Sequence, residues 1–333
     1  MKRIPTILLE DGKMKKIIVA AICMAMVISA GSAFGKNYNG KKVLFIDSYH
    51  EGYAWSDGIT RGVQSTLEGT GVNLKVIRMD TKRNTSDEFK KAAALKAKAE
   101  IEAFKPDVVI AADDNASKFL IEPYFKNAKL PFVFCGVNWD AGVYGYPYSN
   151  TTGMVEVTPI PQIIDQLKPY AKGIRLGMIA PDLLTAKKEA ANYKSVFGYD
   201  VTTYYAKDME DWKKGFLELQ NQVDMIIVDS DGGLYNDRAD ELRAFVEANT
   251  RVPTGSAYDF MAPLALISYG KVAEEQGAWS AQSALEILDG TSPSGIPLVK
   301  NKEGALIINA KIAKAMGVSI PYELIASADQ VLE

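Results

Sequence analysis

The chain has 333 residues, enough for two domains of ordinary size. Its composition, 47% apolar and 24% charged residues, excludes a disordered or fibrous protein. The formal net charge of −3 gives no basic excess of the kind that nucleic-acid-binding proteins carry, so we expect no nucleic-acid partner.

The N-terminal segment has the pattern of a secretory signal. Two lysines precede an uncharged run at 17–30, and small residues follow at 31–35 (GSAFG). The run is short for a membrane span. We therefore expect residues 1–35 to be a signal peptide and the mature chain to be periplasmic or otherwise extracytoplasmic. Because the preceding residues include two acids, which do not suit a signal, the true start is either Met1 or Met14.

Strand and helix signals alternate along the rest of the chain. An apolar stripe that begins at Trp55 and recurs every fourth residue to Leu67 predicts the first connecting helix. A capping box at Thr85 and Glu88 predicts the second helix, which Pro106 ends. The predicted strands are Lys42–Asp47, Asn73–Met79, Asp107–Ala112, Phe132–Gly136, Ile174–Ala180, Val201–Tyr205, Asp224–Asp229 and a short one at Val252–Gly255.

The second half repeats the scheme of the first. Thr158 with Pro159 opens its first helix, and Gly198 closes the next one. PDVVIAADDN at 106–115 aligns with VDMIIVDSDG at 223–232, which favours internal duplication over chance similarity. Short apolar strands joined by helices predict an α/β fold with two doubly wound parallel-sheet lobes and a cleft between them.

Four stretches carry a resemblance to a known family: SYHEGYAWSDGI, AADDNASKF, PFVFCGVNWD and the C-terminal run at 304–332. Over nearly all of residues 40–333, the sequence resembles the ABC-transporter substrate-binding family that includes aromatic-amino-acid-binding proteins. The resemblance implies the type I periplasmic-binding fold, with three interlobe crossings that we place near 152–157, 261–266 and 290–296. The corresponding domains are 36–154 plus 265–290 for lobe 1 and 155–264 plus 291–333 for lobe 2.

The sequence lacks the motifs of the common catalytic classes. It contains no glycine-x-serine-x-glycine elbow, dinucleotide loop or phosphate loop. His50 is the only histidine, and Cys135 lies in an apolar run where a buried, inert thiol is expected, so histidine–cysteine metal clusters are excluded. Aspartates at strand ends are able to do acid–base work, but they also cap helices. We therefore expect a binding protein without a cofactor or metal rather than an enzyme.

Ligands of open α/β sheets bind outside the carboxyl ends of the strands. This rule selects the loops 48–56, 113–117, 137–140, 181–185, 230–235 and 256–260. Trp55 also begins a helical stripe, so packing is its alternative role, whereas Trp212 and Trp279 are expected in the core. The predicted ligand contacts are Ser48, Tyr49, His50 at the rim, Trp55, Asp113, Asp114, Asn115, Asn138, Trp139, Asp182, Asp231, Tyr235, Tyr258 and Asp259.

The aromatic and acidic character of these loops indicates a ligand class. Aromatic faces attract cations, and carboxylates that become buried need a partner such as an amine. We expect an amino-acid-like ligand, with an aromatic side chain as the resemblance suggests, and a sugar or nucleoside as the alternative. The resemblance implies a monomeric subunit that works with the membrane permease of an ABC importer and its ATPase. A ligand-sensing subunit for a membrane receptor or kinase is the second interpretation, and a carboxylate-based enzyme is the third.

Overall fold

The computed structural model describes residues 37–230 and 238–333. The predicted signal peptide lies outside the described residues. The first part of the chain forms β1 (Lys42–Asp47), α1 (Ala54–Leu67), β2 (Asn73–Arg78), α2 (Asp87–Phe104), β3 (Val108–Ala112), the helical segment α3 (Asp113–Ala116, Ser117–Ile121 and Glu122–Tyr124), β4 (Phe132–Asn138) and β5 (Thr151–Glu156).

The second part repeats the alternation and ends in a tail that contributes strands to both sheets. It forms α4 (Ile160–Leu167), β6 (Leu176–Pro181), α5 (Leu184–Phe197), β7 (Val201–Ala206), α6 (Met209–Leu219), β8 (Met225–Val228), α7 (Ala239–Asn249), β9 (Thr254–Ser256) and β10 (Ile267–Lys271). The tail forms α8 (Ala273–Leu288), β11 (Val299–Lys300), β12 (Gly304–Asn309), α9 (Ala310–Met316), α10 (Tyr322–Ser327) and β13 (Gln330–Leu332). Among the described helices, none combines the length and the apolar character that a membrane crossing requires.

Two mostly parallel sheets with helices on their faces form two lobes, which confirms the predicted fold class. The first sheet has the order β11-β5-β4-β3-β1-β2, and the second has the order β13-β12-β10-β9-β8-β6-β7. The first five strands of each lobe therefore share the order 2-1-3-4-5, as an internal duplication would produce. In the second sheet β12 runs antiparallel to β10. The doubly wound order places a topological switch point between β1 and β3, and another between β6 and β8.

Each predicted strand is present, with its ends within two residues of the predicted ones. The predicted capping box is shifted: Ser86, not Thr85, caps α2, because its hydroxyl oxygen accepts a hydrogen bond from the backbone N–H of Phe89. Gly198 closes α5 in the left-handed conformation (φ 77°), as predicted. Local signals therefore located the elements and missed one cap by a residue.

The central strands of both sheets are buried on both faces, as strands of parallel sheets usually are, whereas the outer strands β2, β7, β11 and β13 are partly exposed. In β1, Leu44 packs in one apolar cluster and Phe45 in the cluster on the opposite face. Trp212 is fully buried in the second lobe and stacks on Phe216 at 5.1 Å between ring centroids. Cys135 is fully buried with a free thiol, as expected.

The sheets fix where the chain passes between the lobes. The predicted crossings at 261–266 and 290–296 are too early. β10 belongs to the second sheet although residues 265–290 were assigned to lobe 1, so the chain crosses after Lys271. β11 pairs with β5 in the first sheet although residues 291–333 were assigned to lobe 2, so the chain crosses again only after Lys300. Hydrogen bonds between strands that are distant in sequence decide these memberships, and loop composition does not show them.

Candidate functional site

The carboxyl end of β1 is held by hydrogen bonds within the protein. Asp47 is fully buried, and its carboxylate accepts a hydrogen bond from the Ser56 hydroxyl (2.9 Å) and pairs with Arg78 (2.5 Å). Ser48 is also fully buried, and its hydroxyl donates to the carbonyl oxygen of Ala112 (2.5 Å). The predicted ligand residue Ser48 therefore joins β1 to β3.

Asp113, the first residue after β3, is a buried acid with an unused oxygen. Its side chain is 1% exposed, its φ is +69°, and its Oδ2 has no hydrogen-bond partner among the described residues. Gly136 makes room for it, because a Cβ at that position would come within 2.8 Å of Asp113 Oδ1. Burial, followed by the charges of Glu156 and Asp47, raises the pKa of Asp113 well above its usual range. A buried carboxyl in this state lacks a compensating partner.

Three further predicted residues surround Asp113 and hydrogen-bond to protein groups. The Asp114 carboxylate accepts hydrogen bonds from Asn138 Nδ2 (2.7 Å) and from the Tyr144 hydroxyl (2.9 Å). The Asn115 amide donates to the Thr81 hydroxyl oxygen (2.8 Å). The structure thus brings together the residues that follow β3 and β4, and it satisfies much of their polarity internally.

Aromatic side chains line the segment after β1. The rings of Tyr49 and Tyr53 meet edge to face, with 5.5 Å between centroids, and the His50 ring lies 5.9 Å from that of Tyr53. Lys82 Nζ lies 4.9 Å from the Tyr49 centroid and 4.8 Å from the Tyr53 centroid. His50 Nδ1 is 3.8 Å from a carboxylate oxygen of Asp80. We call Tyr49, Tyr53 and His50 the aromatic cage.

Trp55 lies where the two sheets approach each other. Its half-buried indole is 5.5 Å from Lys271 Nζ, and Lys271 forms an ion pair with Glu156. Glu156 ends β5 in the first sheet, whereas Lys271 ends β10 in the second. Burial raises the pKa of Glu156, and the charge of Lys271 opposes that rise. A buried ion pair beside an indole therefore connects the two lobes.

The second lobe contributes its own buried acid. Asp229 directly follows β8, is 3% exposed, and its Oδ1 has no hydrogen-bond partner among the described residues. Burial raises the pKa of Asp229 to about 7. Tyr258 is half-buried. Burial raises the pKa of its hydroxyl, and the charge of Asp229 adds to this rise, so the two side chains lie near each other. Asp113 and Asp229 thus occupy comparable positions, each beside the switch point of its own lobe.

The other predicted residues of the second lobe lie on the surface or outside the described residues. Asp182 is exposed and pairs with Lys187 at 2.6 Å. Asp259 is exposed, and its Oδ1 accepts a hydrogen bond from the N–H of the next residue (2.7 Å). Asp231 and Tyr235 fall in the segment that the structure does not describe.

Trp139 makes a contact between the lobes. Its indole Nε1 donates a hydrogen bond to Glu189 Oε1 in α5 (3.0 Å). Its ring packs on the rings of Tyr193 and Phe197, with 6.2 and 6.0 Å between centroids. The other carboxylate oxygen of Glu189 accepts a hydrogen bond from the Thr158 hydroxyl (3.1 Å). The predicted ligand residue is therefore also a bridge from lobe 1 to lobe 2.

Six residues that are not among the predicted ligand contacts belong to this region: Tyr53, Lys82, Glu156, Glu189, Asp229 and Lys271. Asp229 ends the predicted strand Asp224–Asp229 and comes directly before the selected loop 230–235. Glu156 and Lys271 end parallel strands, so the strand-end rule would have selected them if β5 and β10 had been predicted as strands. Tyr53 lies in the loop 48–56 that the strand-end rule selected, but it is not among the predicted ligand contacts. Lys82 and Glu189 carry no local signal, because only the fold places them near the other residues.

Comparisons with known proteins agree with this architecture. Over residues 51–332 the sequence matches the profile of a family described as ABC transporter substrate binding protein. A search of curated proteins gave no significant match.

Among solved structures, the ligand-free, open structure of a substrate binding protein with adhesive properties from Clostridium difficile has a TM-score of 0.64 and 18% identity, covering 88% of this chain and 99% of that one. An ABC domain from Streptococcus pneumonia in complex with L-Trp has a TM-score of 0.50 and 18% identity, covering 88% and 100%. A periplasmic ribose ABC transporter from Conexibacter woesei has a TM-score of 0.55 and 14% identity, covering 87% and 99%. At these identities the likeness concerns the fold.

Proposed function

The chain belongs to the family of ABC transporter substrate-binding proteins, and on this basis we propose that it is the extracytoplasmic solute-binding subunit of an ABC importer. It captures a small molecule that carries an amine between its two lobes and delivers it to a membrane permease, whose ATPase drives uptake. The observation that carries the proposal is the pair of buried carboxyls, Asp113 and Asp229, each with one oxygen unpartnered among the described residues.

An amine suits these two carboxyls for a physical reason. A buried carboxyl without a hydrogen-bond partner costs free energy, and it gains stability when a donor or a positive charge reaches it. Asp113 and Asp229 follow the strands beside the two switch points, which is where open α/β sheets bind their ligands. An ammonium group held between the lobes would approach one carboxyl in each lobe, and this would couple ligand capture to the closing of the cleft.

The aromatic residues favour an aromatic amino acid as the ligand. Tyr49, Trp55 and Tyr258 are half-buried and follow the carboxyl ends of β1 and β9, and their faces suit a flat ring. The pneumococcal domain of similar fold was solved with L-Trp, so aromatic amino acids are the first compounds to test. The Conexibacter structure is described as a ribose transporter, which puts sugars second.

The test is a calorimetric screen of the secreted protein against amino acids, amines, sugars and nucleosides. We expect an amine to bind, and we expect Asp113→Asn to weaken that binding by at least about tenfold, because one charged hydrogen bond is lost. Asp224→Asn, which changes an acid paired with Arg175 at the opposite end of β8, is the matched control and should leave affinity unchanged. Tight binding of a purely anionic solute, strengthened by Asp113→Asn, would refute the proposal.

A further inference from the structure

We propose that the aromatic cage is the subsite for an alkylated ammonium group of the ligand, and that Lys82 fills this subsite until the ligand arrives. The inference rests on the proposed capture of a solute with an amine, and it replaces the aromatic amino acid with an organic cation, such as a methylated amine or a quaternary ammonium compound. Nothing in the local sequence around Lys82 indicates this role, because the fold alone brings it to Tyr49 and Tyr53.

The geometry around Lys82 is that of a bound cation. Its ammonium nitrogen is almost equidistant from the Tyr49 and Tyr53 centroids, at 4.9 and 4.8 Å, and the two rings are perpendicular (89°). Both distances are within the roughly 6 Å over which a ring attracts a cation. The His50 ring, tilted by 31° to that of Tyr53, adds a third aromatic group. The faces of the two tyrosine rings attract the positive charge at this position.

A single buried acid, Asp113, interacts electrostatically with the cage. Asp113 is 1% exposed with its Oδ2 unpartnered among the described residues. In its ionised form Asp113 acts on the cage, because it follows burial as the second cause of the raised pKa of the Tyr49 hydroxyl. The charge of Lys82 acts in the other direction and lowers the pKa of Asp113. A cation in the cage therefore compensates an acid that has no hydrogen-bond partner on that oxygen.

Lys82 is attached in a way that suits a replaceable occupant. The backbone before it is fixed, since the Thr81 hydroxyl donates to the Ser48 carbonyl oxygen (2.6 Å) and the Asp80 N–H donates to the Tyr49 carbonyl oxygen (2.8 Å). The side chain itself is exposed, and among the described residues no carboxylate lies within ion-pair distance of its nitrogen. The side chain is therefore able to rotate into solvent when another cation takes its place, while the backbone of residues 80 and 81 keeps its position.

The experiment compares choline with its neutral isostere 3,3-dimethyl-1-butanol by calorimetry on three full-length proteins: wild type, Lys82→Met and Lys126→Met. Lys126 is the matched control, because its nitrogen lies 5.0 Å from the ring of Tyr148, which precedes the amino end of β5, whereas the cage follows the carboxyl end of β1. We expect Lys82→Met to bind choline about tenfold more tightly than wild type, because the competing cation is gone. Lys126→Met should match wild type, and the neutral isostere should bind at least about tenfold more weakly than choline.

Three outcomes would overturn the inference. Weaker choline binding by Lys82→Met would show that Lys82 itself contacts the ligand. Equal binding of choline and the isostere would show that the cage recognises apolar surface instead of charge. Absence of choline binding by Lys82→Met at millimolar concentrations would exclude the subsite. In each case a different amine that binds wild type in the solute screen, with loss on Asp113→Asn, would leave the transport function standing.

Discussion

Asp47 ends β1, and Asp113 follows the neighbouring strand β3. Their carboxyl groups nevertheless have different surroundings. Asp47 accepts a hydrogen bond from Ser56 and pairs with Arg78, so both of its oxygens are used. Asp113 is equally buried and leaves one oxygen unpartnered among the described residues. The first arrangement stabilises the lobe, and the second is costly unless a ligand completes it.

Substitution of these two acids should separate stability from binding. We expect Asp47→Ala to lower the free energy of unfolding by about 3 kcal/mol, because it leaves the Arg78 cation without its partner. Asp113→Asn should leave that free energy unchanged or higher, since asparagine tolerates the left-handed backbone and removes a buried carboxyl whose ionised form is costly. Urea unfolding followed by circular dichroism measures both. A loss for Asp113→Asn as large as that for Asp47→Ala would contradict the assignment.

Asp229 gives the folded protein a specific pH dependence. Burial raises its pKa from 3.8 to about 7. Between these two values the folded chain keeps a proton that the unfolded chain has lost, so the contribution of Asp229 to the free energy of unfolding falls as pH rises through this window. At about pH 8 the penalty reaches up to about 4 kcal/mol. We therefore expect Asp229→Asn to raise the melting temperature by several degrees at about pH 8 and to leave it unchanged at about pH 4.

Asp224 supplies a control of opposite sign on the same strand. Its hydrogen bonds from Arg175 lower its pKa, so its contribution is present above the pKa of the unfolded chain and is lost as pH falls through the folded value. Asp224→Asn should therefore lower the melting temperature at neutral pH and have little effect in strong acid. Equal shifts for Asp229→Asn at both pH values would show that its carboxyl keeps no proton in the folded state.

At the residue scale, the sequence identified positions but not their hydrogen bonds. The strand-end rule selected Ser48 and Asp113 alike, because both follow an apolar strand. The partner of the Ser48 hydroxyl is the carbonyl oxygen of Ala112, on another strand, and only the parallel register of β1 and β3 brings the two together. Which strand-end group is already satisfied is therefore a property of tertiary structure.

The packing of α1 against α8 depends on glycines at the helix crossing. A Cβ on Gly277 would come within 2.0 Å of the Ile59 carbonyl oxygen, and one on Gly62 within 2.2 Å of the Glu274 carbonyl oxygen. These are backbone atoms, which cannot rotate away. The helices consequently approach each other so closely that no side chain fits between them at these two positions.

We expect Gly277→Ala to lower the free energy of unfolding by about 1–3 kcal/mol, because the helices have to separate to admit the methyl group. This range is the net loss, after the gain of about 1 kcal/mol in helix propensity from glycine to alanine. Gln64→Ala, on the exposed side of α1, is the control and should change stability by less than about 0.5 kcal/mol. Thermal and urea unfolding measure the two variants, and a stabilised Gly277→Ala protein would contradict the close contact.

At the element scale, most segments with a clear period were predictable, whereas the two short strands of the tail were not. The four-residue repeat from Trp55 predicted α1, and apolar runs predicted eight strands. β11 has two residues and β13 has three, too few for any periodicity to register. These strands exist because the edges of two sheets offer free backbone groups to them, and the sheets themselves come from other parts of the chain.

At the scale of the whole molecule, the crossings between the lobes are bound to one another. The Val157 N–H donates to Asn301 Oδ1 (2.7 Å), and the Lys302 N–H donates to a Glu275 carboxylate oxygen (2.9 Å). These bonds tie the segment after β5 and the start of α8 to the segment between β11 and β12. Away from the crossings, the Trp139–Glu189 hydrogen bond links the lobes directly. A hinge motion would preserve the first set of bonds and change the second.

Closure of the lobes changes the overall size of the molecule. We expect an amine ligand to reduce the radius of gyration measured by small-angle scattering, because it draws the acids of the two lobes towards one charge. Trp139→Phe keeps an aromatic ring but removes the donor to Glu189, so the unliganded protein should have a larger radius of gyration than wild type. Trp279→Phe makes the same chemical change on α8 within lobe 1 and should leave the radius unchanged. A radius that stays constant at ligand saturation would rule out closure, and equal radii for Trp139→Phe and wild type would show that this bond does not hold the lobes.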